Sequence, residues 1–76
     1  MSTVLIVEDE PGLREGLVVA VQKLQLAARA AAGLHEARQL LAAEPVDCIL
    51  LDIRLRDGDG LEFLTELGKG PHRDVP

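Results

Sequence analysis

The chain has 76 residues, enough for one small domain that buries only about 60% of its unfolded surface. Apolar residues make up 47% of it, which argues against disorder, but they are mainly Ala, Leu and Val, with one Phe and neither Trp nor Tyr. The formal charge of −5 and the lack of aromatic platforms argue against a nucleic-acid-binding surface.

Val4 to Val7 (VLIV) is short, β-branched and apolar throughout, as in a strand covered on both faces, here over about residues 3–8. EDEPG breaks it, and Pro11 suits the first turn of a helix. Leu13, Leu17, Val21 and Leu24, spaced four, four and three apart, mark one face of a helix over about 11–25. LAARAAAG is ambiguous. Alanine favours helix, so the segment could continue the preceding one, or it could form a strand over about 27–32. Gly33 is a stop, and a helix over about 34–44 resumes with Ala37, Leu40 and Leu41 on one side until Pro45 ends it. VDCILLD is a second buried strand, about 47–52. DGDG reads as a turn, with Asp59 capping a helix over about 60–68 and Glu62 in the capping-box position. Leu61, Leu64 and Leu67 form the apolar face of that helix, and PHRDVP is an irregular tail. The alternation favours an α/β fold with a parallel sheet.

Cys48 is the single cysteine, which rules out an intrachain disulfide, and its apolar neighbours suggest core packing. No apolar run approaches the roughly 18 residues of a membrane span, and MSTVLIVEDE lacks the pattern of a signal peptide. The expected location is cytoplasmic.

Two strands end in acid, the first at Glu8, Asp9 and Glu10 and the second at Asp52. In open parallel sheets, ligands bind beyond the carboxyl ends of the strands. If the two strands are neighbours, Glu8, Asp9 and Asp52 converge. Carboxylates that close repel, so either one keeps its proton or a cation sits among them, and an oxygen-lined site suits Mg²⁺. The plainer alternative is that acids at strand ends merely begin loops.

VLIVEDE followed by CILLDIRLRDGDG, with Asp9 and Asp52 separated by 43 residues (52 − 9), resembles the receiver domain of bacterial response regulators. The resemblance implies a flavodoxin-like fold with the strand order 2-1-3 in a three-stranded parallel sheet with three helices. By the same resemblance, Asp52 is the phosphoacceptor for a sensor histidine kinase and Asp9 a direct ligand of Mg²⁺ or Mn²⁺. Asp52 shares that metal, Glu8 holds it through water, and Arg54 contributes its backbone carbonyl. The chain departs from the family pattern in two ways. Arg56 stands where proline is usual, which frees a φ angle. The sequence also corresponds to the first three strand–helix units of a receiver, without the two further strands that end in a Ser or Thr and in a Lys. Lys23, Lys69, Ser2, Thr3 and Thr65 do not fit those roles. Weak metal binding and poor phosphorylation of this segment are therefore expected.

Three other readings compete. DGDGLEFLTE has calcium-loop spacing, with Asp57, Asp59 and Glu66 at ligand positions, but Leu55 falls at the first one and cannot coordinate. A Toprim-like, Mg²⁺-dependent nucleic-acid enzyme would use Glu8, Asp57 and Asp59, leaving Asp9 and Asp52 unexplained. A non-functional structural fragment that self-assembles is the third, and under either this or the receiver reading an exposed edge at residues 48–51 is expected to drive a homodimer or larger oligomer. His35 and His72 have no His or Cys neighbours at metal spacing and are expected at the surface.

Overall fold

The computed structural model describes residues 2–52, 54–55 and 58–69. Its elements in chain order are β1 (Thr3–Val7), α1 (Pro11–Lys23), β2 (Ala27–Ala31), α2 (Leu34–Ala43), β3 (Cys48–Leu51), β4 (Arg54–Leu55), β5 (Gly58–Asp59) and α3 (Gly60–Lys69). The first three strands form one parallel sheet in the order β2-β1-β3, the arrangement the resemblance implies.

β1 is central and flanked on both sides, which is why VLIV is apolar at every position instead of alternating. Its side chains point to the two faces in turn. Leu5 and Val7 enter a core with Leu34, Ala37 and Leu41 of α2 and Phe63 and Leu67 of α3. Val4 and Ile6 enter a smaller core with Val21 of α1, against which Leu17, Val18 and Cys48 pack. One helix therefore covers one face and two helices the other, the doubly wound pattern.

The ambiguous Ala-rich segment is a strand. Helix α1 ends at Lys23, and Gln25 adopts φ 61°, a left-handed conformation that turns the chain back toward the sheet. Ala27 N–H then donates to Ser2 O at 2.8 Å, and all five residues of β2 pair with β1. Ladder bonds and burial beside β1 outweigh alanine's modest preference for helix.

DGDG is not simply a turn, because Arg54 and Leu55 pair antiparallel with Asp59 and Gly58 in a small hairpin. The hairpin abuts α2 closely, so a Cβ at Gly58 would lie 2.6 Å from Leu34 Cδ1. Helix α3 begins directly after Asp59, but its core face differs from the expected one. Phe63 and Leu67 are buried, whereas Leu64 is 56% exposed. The large Phe63 ring fills the core and turns Leu64 outward. Arg38 ties α2 to α3, binding Glu66 through two hydrogen bonds of 3.0 and 3.2 Å and lying 5.3 Å over the Phe63 ring. On α1 the expected apolar face exists but is only partly covered: Val21 is buried, while Leu13 is 53% and Leu24 70% exposed.

Candidate metal and phosphoacceptor site

The register of the sheet builds the site. Val7 of β1 lies opposite Leu51 of β3, and Asp52 N–H donates to Val7 O at 3.0 Å. The next residue along each strand is an acid. Glu8 and Asp52 stand side by side at the carboxyl end of neighbouring strands, on the face covered by α1. Glu8 N–H donates to Ala31 O at 3.0 Å, so this residue continues the pairing of β1 with β2. Asp9 follows in the turn toward α1.

One carboxylate oxygen from each of Glu8, Asp9 and Asp52 lies within 4.8 Å of the others. Glu8 is buried, and the two aspartates are half-buried. At that spacing, two full negative charges repel by on the order of 3 kcal/mol at the effective dielectric of a protein surface. The three groups brought together are all carboxyl oxygens, the donor type a small hard cation takes. Beside it, toward α1, lies an open depression of ≈ 380 Å³, with Glu8 and Asp52 at one end and Leu13, Leu17 and Leu50 along its walls.

Glu10 belongs to a different structure. Its side chain caps α1, accepting from Gly12 N–H at 3.2 Å and Leu13 N–H at 2.6 Å. The helix N-terminus, where backbone donors need acceptors, draws this acid away from its neighbours. Glu10 N–H in turn donates to Glu8 Oε1 at 3.2 Å.

Sequence reasoning missed Arg14, whose Nη1 donates to the Glu8 carbonyl oxygen at 2.9 Å. The available signal was a lone Arg one turn into the helix that follows an acid cluster. Arg54 opens β4, opposite Asp59. Lys23 ends α1, which runs back along the sheet, so it lies at the end away from the acids. Ser2 and Thr3 also lie at that far end, Thr65 is exposed on α3, and His35 is exposed on α2. Arg56, Asp57 and His72 lie outside the described residues.

An open parallel α/β sheet with a carboxylate cluster beyond the ends of two adjacent strands defines a class of acid-site, flavodoxin-like domains. Within that class, the family "Response regulator receiver domain" matches residues 4–76, and the chain belongs to it. Response regulator protein PilR of Pseudomonas aeruginosa is 48% identical over 60 residues, covering 79% of this chain and 14% of that protein. The KDP operon transcriptional regulatory protein KdpE of Escherichia coli is 39% identical over 67 residues, covering 88% and 30%. Among solved structures, response regulator protein TrrA of Thermotoga maritima, in complex with Mg²⁺-BeF, superposes with a TM-score of 0.86 at 32% identity. That match covers 91% of this chain and 60% of the TrrA chain, so this chain spans less than two thirds of each of these proteins. The family match supersedes the calcium-loop and Toprim readings.

Proposed function

We propose that this chain is the phosphoacceptor module of a two-component response regulator, taking a phosphoryl group from a sensor histidine kinase onto Asp52. The observation that carries this reading is the convergence of Glu8, Asp9 and Asp52 within 4.8 Å at the carboxyl ends of two adjacent strands. Asp9, Asp52 and the Arg54 carbonyl would hold Mg²⁺ or Mn²⁺ directly, and Glu8 through water. When bound, the cation neutralises charge between an anionic phosphodonor and a carboxylate nucleophile. A carboxylate oxygen of Asp52 attacks phosphorus, and the P–N bond to the kinase's phosphohistidine breaks. The electron pair goes to the imidazole nitrogen, and Asp52 becomes an acyl phosphate. The module is a signalling switch and not an enzyme in its own right. Such a module would act in the cytoplasm and serve a transcription-regulating output, as the names of its relatives suggest.

The 76-residue chain alone is expected to react slowly. Among the described residues Lys23, Ser2 and Thr3 lie at the end of the sheet away from the acids and Thr65 is exposed on α3. None of these is placed to stabilise charge on the phosphoryl group as a receiver's Lys and Ser or Thr do, and losing one such donor typically costs about 10²–10³ in rate. Intact mass after incubation with a small acyl phosphate and Mg²⁺ tests both points. Slow addition of one phosphoryl group is expected, absent in Asp52→Asn and reduced in Asp9→Asn. Addition that survives Asp52→Asn would place the acceptor elsewhere.

A second reading rests on the uncovered surface. Among the described residues β3 pairs only with β1, and Leu50 and the neighbouring Leu13 are exposed. Two copies pairing antiparallel through β3 would bury this edge, so a homodimer of the chain on its own is the form expected in solution.

A further inference from the structure

We infer that Arg14 is a positioning residue for the carboxylate cluster, an inference that rests on the metal-site reading above. The same residue grips both ends of the acidic turn. Its backbone N–H donates to Glu10 O at 2.9 Å, as part of the first turn of α1. Its guanidinium reaches back and donates to Glu8 O, also at 2.9 Å. Between those two carbonyls lies Asp9. Glu8 O belongs to the peptide that joins Glu8 to Asp9, so the guanidinium fixes the plane from which both side chains leave. On its other side Glu8 is anchored by its N–H to Ala31 O. Together these bonds lock the acidic turn to β2 and to α1 at once.

The clasp has a physical reason. Three carboxylates within 4.8 Å repel one another. A turn carrying two of them relaxes by rotating the Glu8–Asp9 peptide and spreading the acids apart, which would spoil the site for a cation. Arg14 opposes that rotation with a partly buried, charge-assisted hydrogen bond. Partners of this kind, which touch ligands and not the metal, typically set affinity by about 10–100-fold.

A merely electrostatic role for Arg14 would act in the opposite direction. A fixed positive charge near the site repels a cation, so its removal would tighten binding, whereas loss of a clasp loosens it. The sign of the change therefore distinguishes the two.

Mn²⁺ binding to the chain, followed by electron paramagnetic resonance of the free ion, provides the test in wild type, Asp9→Asn, Arg14→Met and Arg14→Lys. Met and Lys are about as helix-favouring as Arg, so α1 is retained. Circular dichroism and the thermal midpoint without metal report the fold separately. Wild type should bind and Asp9→Asn should not. Arg14→Met should bind on the order of tenfold more weakly, with its metal-free midpoint close to wild type, and Arg14→Lys should lie between. Unchanged or tighter binding in Arg14→Met overturns the inference. If that variant does not fold, Arg14→Lys decides alone, since weaker binding at constant charge supports the clasp and wild-type binding overturns it. Absence of Asp9-dependent binding in the wild type would instead overturn the metal reading, and the clasp with it.

Discussion

Arg38 and Glu66 show how much one exposed pair can do. The guanidinium stacks over Phe63 and binds the carboxylate through two hydrogen bonds, holding the outer surfaces of α2 and α3 together. Those hydrogen bonds, opposed by desolvation and helped by the Arg38 charge, hold the Glu66 carboxyl below its ordinary value of 4.5. A lowered folded-state pKa means the folded form binds the proton less readily than the unfolded chain. The pair therefore stabilises the fold above about pH 4.5, and its contribution is lost as pH falls through the lower folded-state value. Because both side chains are exposed, the effect is small and screened by salt. Denaturant titrations of wild type and Glu66→Gln should differ most at neutral pH and converge in acid. A carbon-detected titration of Glu66 with a midpoint at or above 4.5 would contradict this account.

At the scale of the elements, the join between α1 and β2 shows what the sequence conceals. Gln25 closes α1 with φ 61°, a position where glycine is the usual residue and a side chain is strained. With glycine there, the end of the helix would have been readable, and LAARAAAG could not have passed for its continuation. Gln25→Gly is accordingly expected to stabilise the chain by about 0.5–1 kcal/mol, the strain relieved exceeding the added freedom of the unfolded chain. Equilibrium unfolding in urea checks this, and a loss of stability would mean that the Gln25 side chain contributes contacts of its own. The acids were easier to read. β1 and β3 each carry an apolar run that stops on a carboxylate, so a parallel register was enough to bring Glu8 and Asp52 together. The hairpin was harder, because two-residue strands carry no periodicity. Helix α3 misled for a related reason: Leu64 and Phe63 are adjacent and both apolar, and only packing decides which of them faces inward.

For the whole molecule, the two faces of the sheet are unequally protected. The face under α2 and α3 holds the larger core, whereas the α1 face leaves Leu50 39% exposed beside Leu13 and Leu17. Burying apolar surface is worth roughly 25 cal/mol per Å², so exposed leucines beside a strand that pairs, among the described residues, on one side only favour association. Charge works against it. Antiparallel pairing of two β3 strands about the Ile49–Leu50 midpoint sets Asp52 of one copy opposite Asp47 of the other, and like charges directly opposite are destabilising. The two contributions respond differently to salt. Screening weakens the acid–acid repulsion and leaves the apolar contact intact, so association should strengthen as ionic strength rises. Light scattering coupled to size exclusion should show a dimer whose fraction grows between low and moderate salt. Leu50→Lys should shift it to the monomer, with far-UV circular dichroism confirming that the sheet remains. A folded species of 8.2 kDa at all salt concentrations across the micromolar range would rule out pairing through this edge.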